Sequence, residues 1–142
     1  MTVRLRPLSL LLAVLFIAAA CGSGGESGES SGAAGLRLIT ADDGAAILED
    51  PPDDLIILDV RTIEEFGEGH LEGAEMLDFY GADFAEQLDL LDKDQPYLIY
   101  CRSGNRSGQT LAIMEELGFT DVADVDGGVL AWADAGLDLV TP

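Results

Sequence analysis

The residues best suited to chemistry form one run, Cys101-Arg102-Ser103-Gly104-Asn105-Arg106-Ser107. It follows the apolar, aromatic stretch Tyr97-Leu98-Ile99-Tyr100 and leads into a helical pattern from Gln109 to Leu117. A cysteine at a strand end, followed by a short glycine-containing loop and a helix start, can hold an anionic sulfur. The N–H groups of the loop and first helical turn have no intrahelical partners and point at the same spot. Arg102 and Arg106 add positive charge. Together these effects lower a cysteine pKa and keep a nucleophilic thiolate at neutral pH. A buried structural cysteine is the competing reading, but arginines, a glycine and hydroxyls are poor company for an apolar burial site.

The elements that must position this run alternate along the chain. Strand candidates are Leu36 to Ile39, Leu55 to Leu58, Ala74 to Leu77, Tyr97 to Tyr100 and Val122 to Val125. Leu55-Ile56-Ile57-Leu58 is the continuous apolar run of a strand buried on both faces. Thr40 caps a helix with Asp42 and Asp43 in its first turn, and Pro51-Pro52 end it. Thr62 caps a short helix through Phe66; Ala82 to Leu91 repeats apolar residues at helical spacing. Arg106 to Leu117 is a helix with Gly118 as its C-cap, and Gly127-Gly128 turns into a last helix carrying Trp132, a core anchor. The pattern predicts an α/β fold with three layers, a mostly parallel central sheet flanked by helices. Sites in such sheets lie at the carboxyl ends of the strands, where Asp59 and Cys101 both fall.

Of the 142 residues, the first 20 read differently. Arg4 and Arg6 precede the uncharged apolar run Leu8 to Ala20. That run is shorter than the about 20 residues a membrane span needs and suits a signal-peptide core. Leu5 separates the arginines, which points to general secretion rather than a twin-arginine route. Ala18-Ala19-Ala20-Cys21 resembles the lipobox of bacterial lipoproteins, with Ala18 where leucine is usual. The resemblance implies lipidation of Cys21; the same residues also fit plain cleavage after Ala20. Gly22 to Gly35 holds no apolar residue larger than alanine, so residues 21–35 read as a flexible tether with a reach of about 20 Å. The expected organisation is a signal peptide over 1–20, a lipidated tether over 21–35 and one folded domain over 36–142, held outside the cytoplasm at the cell membrane. Cys21 belongs to processing, so Cys101 is the one free thiol of the domain and no disulfide is expected.

Acidic residues outnumber basic ones 27 to 7, a net charge of −20. This excludes nucleic-acid binding and adhesion to anionic lipid by charge. The acids lack calcium-loop spacing, and no metal is expected.

Three stretches in order resemble the single-domain rhodanese family of sulfurtransferases. Leu58-Asp59-Val60-Arg61, Glu64-Glu65-Phe66 and Gly69-His70-Leu71-Glu72-Gly73-Ala74 look like its first signature. The run from Cys101 to Ser107 looks like its active-site loop, and Gly127-Gly128-Val129-Leu130-Ala131-Trp132 like its C-terminal signature. Glu72 and Met76 depart from the family's usual proline and asparagine. The resemblance spans about Leu36 to Leu139 and implies a rhodanese-like fold. It also implies sulfane sulfur transfer from a donor such as thiosulfate to a thiol or cyanide, through a Cys101 persulfide. In the substrate-binding loop Arg102, Ser103, Gly104, Asn105, Arg106 and Ser107, the resemblance implies that the amides from Arg102 to Arg106 hold the persulfide and that Arg102 and Arg106 bind the donor's sulfonate, without any cofactor. Cysteine phosphatases and arsenate reductases are the rival enzymes, but they need one residue more than the four that separate Cys101 from Arg106 here. A non-catalytic binding or redox module is the other alternative. Asp59 and Arg61 are expected to pair beside the site and brace the Cys101 loop. His70 is expected to be structural, and Ser107 either caps the helix or donates to the persulfide. Oligomeric state is not legible.

Overall fold

The computed structural model describes residues 35–142. The signal-peptide, lipidation and tether readings lie outside the described residues, Gly35 excepted. Five strands form one sheet: β1 (Leu36–Ile39), β2 (Ile56–Asp59), β3 (Glu75–Met76), β4 (Pro96–Tyr100) and β5 (Asp121–Val125). Their order is β1-β5-β4-β2-β3 and every pairing is parallel. The helices are α1 (Ala41–Glu49), α2 (Ile63–Glu68), α3 (Phe84–Asp89), α4 (Asn105–Leu117) and α5 (Gly128–Asp134).

Strand periodicity splits the core in two. Tyr97 and Ile99 of β4 join Val122 of β5 on one face, packed under Phe84 and Leu88 of α3 and Met114 of α4. Leu98 and Tyr100 join Ala123 and Val125 on the other, packed under Ala41 of α1 and Val129 and Trp132 of α5. The result is the α/β/α layering that the alternating pattern predicts. Trp132 is buried, and its indole N–H donates to the Asp138 carbonyl.

Several element ends differ from the sequence reading, each for a local reason. α2 runs to Glu68, because the helical geometry continues through Gly67 and breaks only at Gly69. α3 starts at Phe84, because Gly81 and Phe84 donate to Asp78 and Gly81 carbonyls in preceding turns. β3 shrinks to two residues, because the Ala74 N–H is taken by the Leu71 carbonyl. Thr40 and Thr62 both form capping boxes, with Asp43 and Glu65 returning the bond.

The start of α5 fixes the backbone at the end of β4. Val129 N–H donates to the Cys101 carbonyl at 2.9 Å and Leu130 N–H to the Arg102 carbonyl at 3.1 Å. A Cβ on Gly128, whose φ is +56°, would stand 2.2 Å from the Cys101 oxygen. No side chain fits there. Gly128→Ala is therefore expected to destabilise the domain by roughly 3 kcal/mol or more, through strain and displacement of the Cys101 backbone. Denaturant unfolding measures this, and a loss below about 0.5 kcal/mol would refute the packing argument.

Candidate active site

β4 carries Cys101 to the carboxyl edge of the sheet, where the chain must turn back into α4. Gly104 makes that turn in the left-handed region at φ +85°, as the N-cap of α4. Its N–H donates to the Cys101 sulfur at 3.1 Å. The Ser107 hydroxyl lies 3.5 Å from the sulfur and 3.4 Å from the Gly104 carbonyl, within donating reach of both. Cys101 is only 1% exposed. Burial works against ionisation of the thiol. The Ser107 hydroxyl and the amides of Ser107, Ser103 and Arg106 outweigh it and bring the pKa below its usual value.

The remaining loop residues divide. Ser103 contributes its amide while its side chain is exposed. The Asn105 side chain turns away and accepts from Gln109. Arg106 is held by Glu65 in a two-pronged pair, both contacts 2.7 Å, and its guanidinium lies 5.5 Å from the Tyr80 ring centroid. Arg106 holds the Glu65 carboxyl at a pKa of about 2, well below its usual range. Among the described residues, Arg102 is the one lysine or arginine with no carboxylate at ion-pair distance. It lines an open groove of about 300 Å3 with Glu65, Glu68 and Leu130. A larger groove of about 500 Å3 lies at the opposite ends of the strands, around Arg37, Pro96 and Asp121, away from the sulfur.

Asp59 and Arg61 do pair, at 0% and 3% exposure, through a two-pronged contact whose shortest distance is 2.6 Å. Arg61 also donates from Nη2 to the Gly69 carbonyl, and its guanidinium packs 5.6 Å from the Tyr100 ring. Tyr100 accepts from the Leu71 N–H. The pair thus braces the turns after β2 and α2 and packs on the ring of Tyr100, the residue before Cys101, while Arg61 lines the same groove as Arg102. His70 stacks on Phe66 at 3.8 Å and pairs by its backbone with Val140. Ser107 sits inside the first turn of α4, with Gly104 as the cap.

Two residues that bear on the loop and the start of α4 lay outside the sequence-based site. Glu65, in the first signature, neutralises Arg106; nothing in its spacing reveals a partner 41 positions away. Asp124 lies in β5, fully buried, with no hydrogen-bond partner for either oxygen. Its signal in the sequence is an acid within the run Val122-Ala123-Asp124-Val125.

The family profile described as a rhodanese-like domain matches residues 40–135. The chain belongs to the rhodanese family. A protein named sulfurtransferase from Allochromatium vinosum is 34% identical over 90 residues, covering 63% of this chain and 82% of its own. The thiosulfate sulfurtransferase GlpE of Pseudomonas putida is 40% identical over 78 residues, 54% of this chain and 68% of its own. The crystal structure of a rhodanese-related protein from Thermoplasma volcanium superposes with a TM-score of 0.65 at 26% identity, covering 75% of this chain and 99% of that one.

Removing one partner of a buried pair strands the other charge. Asp59→Ala is expected to destabilise the domain by about 3–5 kcal/mol while changing turnover per folded molecule far less. A fully stable, inactive variant in unfolding and activity measurements would contradict this.

Proposed function

We propose that this protein is a sulfurtransferase that works through a Cys101 persulfide. The observation that carries the reading is the sulfur seated against the Gly104 N–H at 3.1 Å, inside a loop of four residues between Cys101 and Arg106. The relatives named as sulfurtransferases support it. The Cys101 thiolate attacks the outer sulfur of thiosulfate. The donor's S–S bond breaks, sulfite leaves with the electron pair, and Cys101 keeps the sulfur. An acceptor nucleophile, cyanide or a thiol, then attacks that sulfur and Cys101 departs as thiolate. The loop amides hold the anionic sulfur in both states. Arg102 is the cation for the donor's sulfonate, because Arg106 is already committed to Glu65. Export and a lipid anchor at Cys21 complete the proposal, placing this chemistry at the outer side of the cell membrane.

Thiosulfate and cyanide with the purified protein test the reading. Turnover and a mass gain of about 32 Da, one sulfur atom on the nucleophile, are expected, both lost in Cys101→Ser. A folded, reduced protein with neither would shift the function to a binding module or an oxyanion substrate, with arsenate and aryl phosphates next to try.

Charge gives a second expectation. A chain of net charge −20 repels thiosulfate, while Arg102 attracts it locally. The kcat/KM for thiosulfate should rise as moderate salt screens the repulsion. A steady fall from the lowest ionic strength would mean that Arg102 outweighs the surrounding acids.

A further inference from the structure

Asp124 is a buried acid with no part in the transfer chemistry. It sits on β5 opposite Ile99 of β4 and Leu38 of β1, on the sheet face that α4 covers. A Cβ added to Gly108 of α4 would lie 3.9 Å from its Oδ2, so the first turn of α4 rests directly on the carboxylate. A folded protein seldom leaves both oxygens of a fully buried carboxylate without partners. Burial, the largest influence, raises its pKa to about 6; the Ser107 hydroxyl favours its charge and Asp126 opposes it. Yet Ser107 is placed to bond the Cys101 sulfur and the Gly104 carbonyl, both at long range, and not Asp124. The Ser107 hydroxyl nonetheless bears on both groups, favouring the anionic form of the sulfur and of the carboxylate.

We propose that Asp124 is a positioning residue that sets the pH at which Cys101 becomes nucleophilic, by competing with the sulfur for the Ser107 hydroxyl and by opposing the thiolate with its own charge. The proposal rests on Cys101 being the nucleophile. When Asp124 is ionised, the Ser107 hydrogen is drawn away from the sulfur and a second negative charge in the same dry region is disfavoured. When Asp124 carries a proton, it donates to Ser107, which turns its hydrogen to the sulfur. The thiol proton and the carboxyl proton are thus coupled across one hydroxyl, and the pair titrates as a unit.

Other charges facing this spot are few. Asp126 follows β5 and adds to the negative field. From β4, Tyr97 shares the face but commits its hydroxyl to the Asp92 carbonyl. From α4, Arg106 is bound to Glu65, and Glu115 and Glu116 are exposed on the last turn. From β1, Arg37 pairs with Asp121 on the opposite face of the sheet.

The test is the pH dependence of Cys101 alkylation by iodoacetamide in the full chain, read by mass on the Cys101 peptide. Asp124→Asn keeps the shape and removes the charge; Asp124→Val suits a buried strand position and carries the test if the amide impairs folding. Both should lower the alkylation midpoint by about one pH unit, a tenfold change in the ionisation constant, and move the acid limb of kcat/KM with it. In a Ser107→Ala background the shift from Asp124→Asn should shrink, since the shared hydroxyl is gone. A midpoint unchanged or raised, or a shift undiminished without Ser107, overturns the proposal. A purely structural role would alter stability and leave the midpoint in place. Because alkylation reads ionisation directly, a shifted midpoint in a protein without sulfur transfer would sink the functional reading and leave the coupling intact.

Discussion

The carbonyls of Cys101 and Arg102 end a parallel strand and have no further strand to pair with. They are satisfied by the N–H groups of Val129 and Leu130 at the start of α5. This contact forces the backbone of Gly128 against the Cys101 oxygen, closer than any Cβ allows. With those carbonyls tied down, the loop amides are free to face the sulfur. Gly104 in its left-handed turn then aims its N–H at Sγ, and α4 starts in line behind it. The C-terminal Gly-Gly signature and the cysteine loop are therefore two halves of one mechanical joint.

Charge around the joint is partitioned by burial. The buried Asp59–Arg61 pair spends its bonds on backbone turns and the Tyr100 ring. The partly exposed Glu65–Arg106 pair closes a second signature onto the loop. Glu65 serves twice, accepting from the Thr62 N–H as a helix cap and from Arg106 as an ion partner. The two arginines of the cysteine loop thus differ in surroundings: Arg106 is paired with Glu65, and Arg102 lines the groove with no carboxylate at ion-pair distance among the described residues.

Layering, strand identity and the cysteine loop were legible because each rests on local rules. The apolar runs of β2 and β4 alternate with amphipathic helices, and the turn residues stand where turns must be. Less legible were features made by distant partners. Glu65 stands only in a signature run until the fold brings Arg106 to it. Asp124 is one acid inside the strand run Val122 to Val125, with no partner indicated, until the crossover connections place β5 between β1 and β4, under α4. The ends of α2, α3 and β3 moved by a few residues, because competing turn bonds at Ala74 and Phe84 and the helical geometry of Gly67 are decided by geometry, not composition.

The sheet's two open borders are β1, with four residues, and β3, with two. A strand of two residues offers almost no unpaired ladder to a neighbouring molecule, and Arg37 places a charged side chain on the other border. With a net charge of −20, copies of this chain also repel one another. Such a domain can be held at high local density without its sheets annealing border to border.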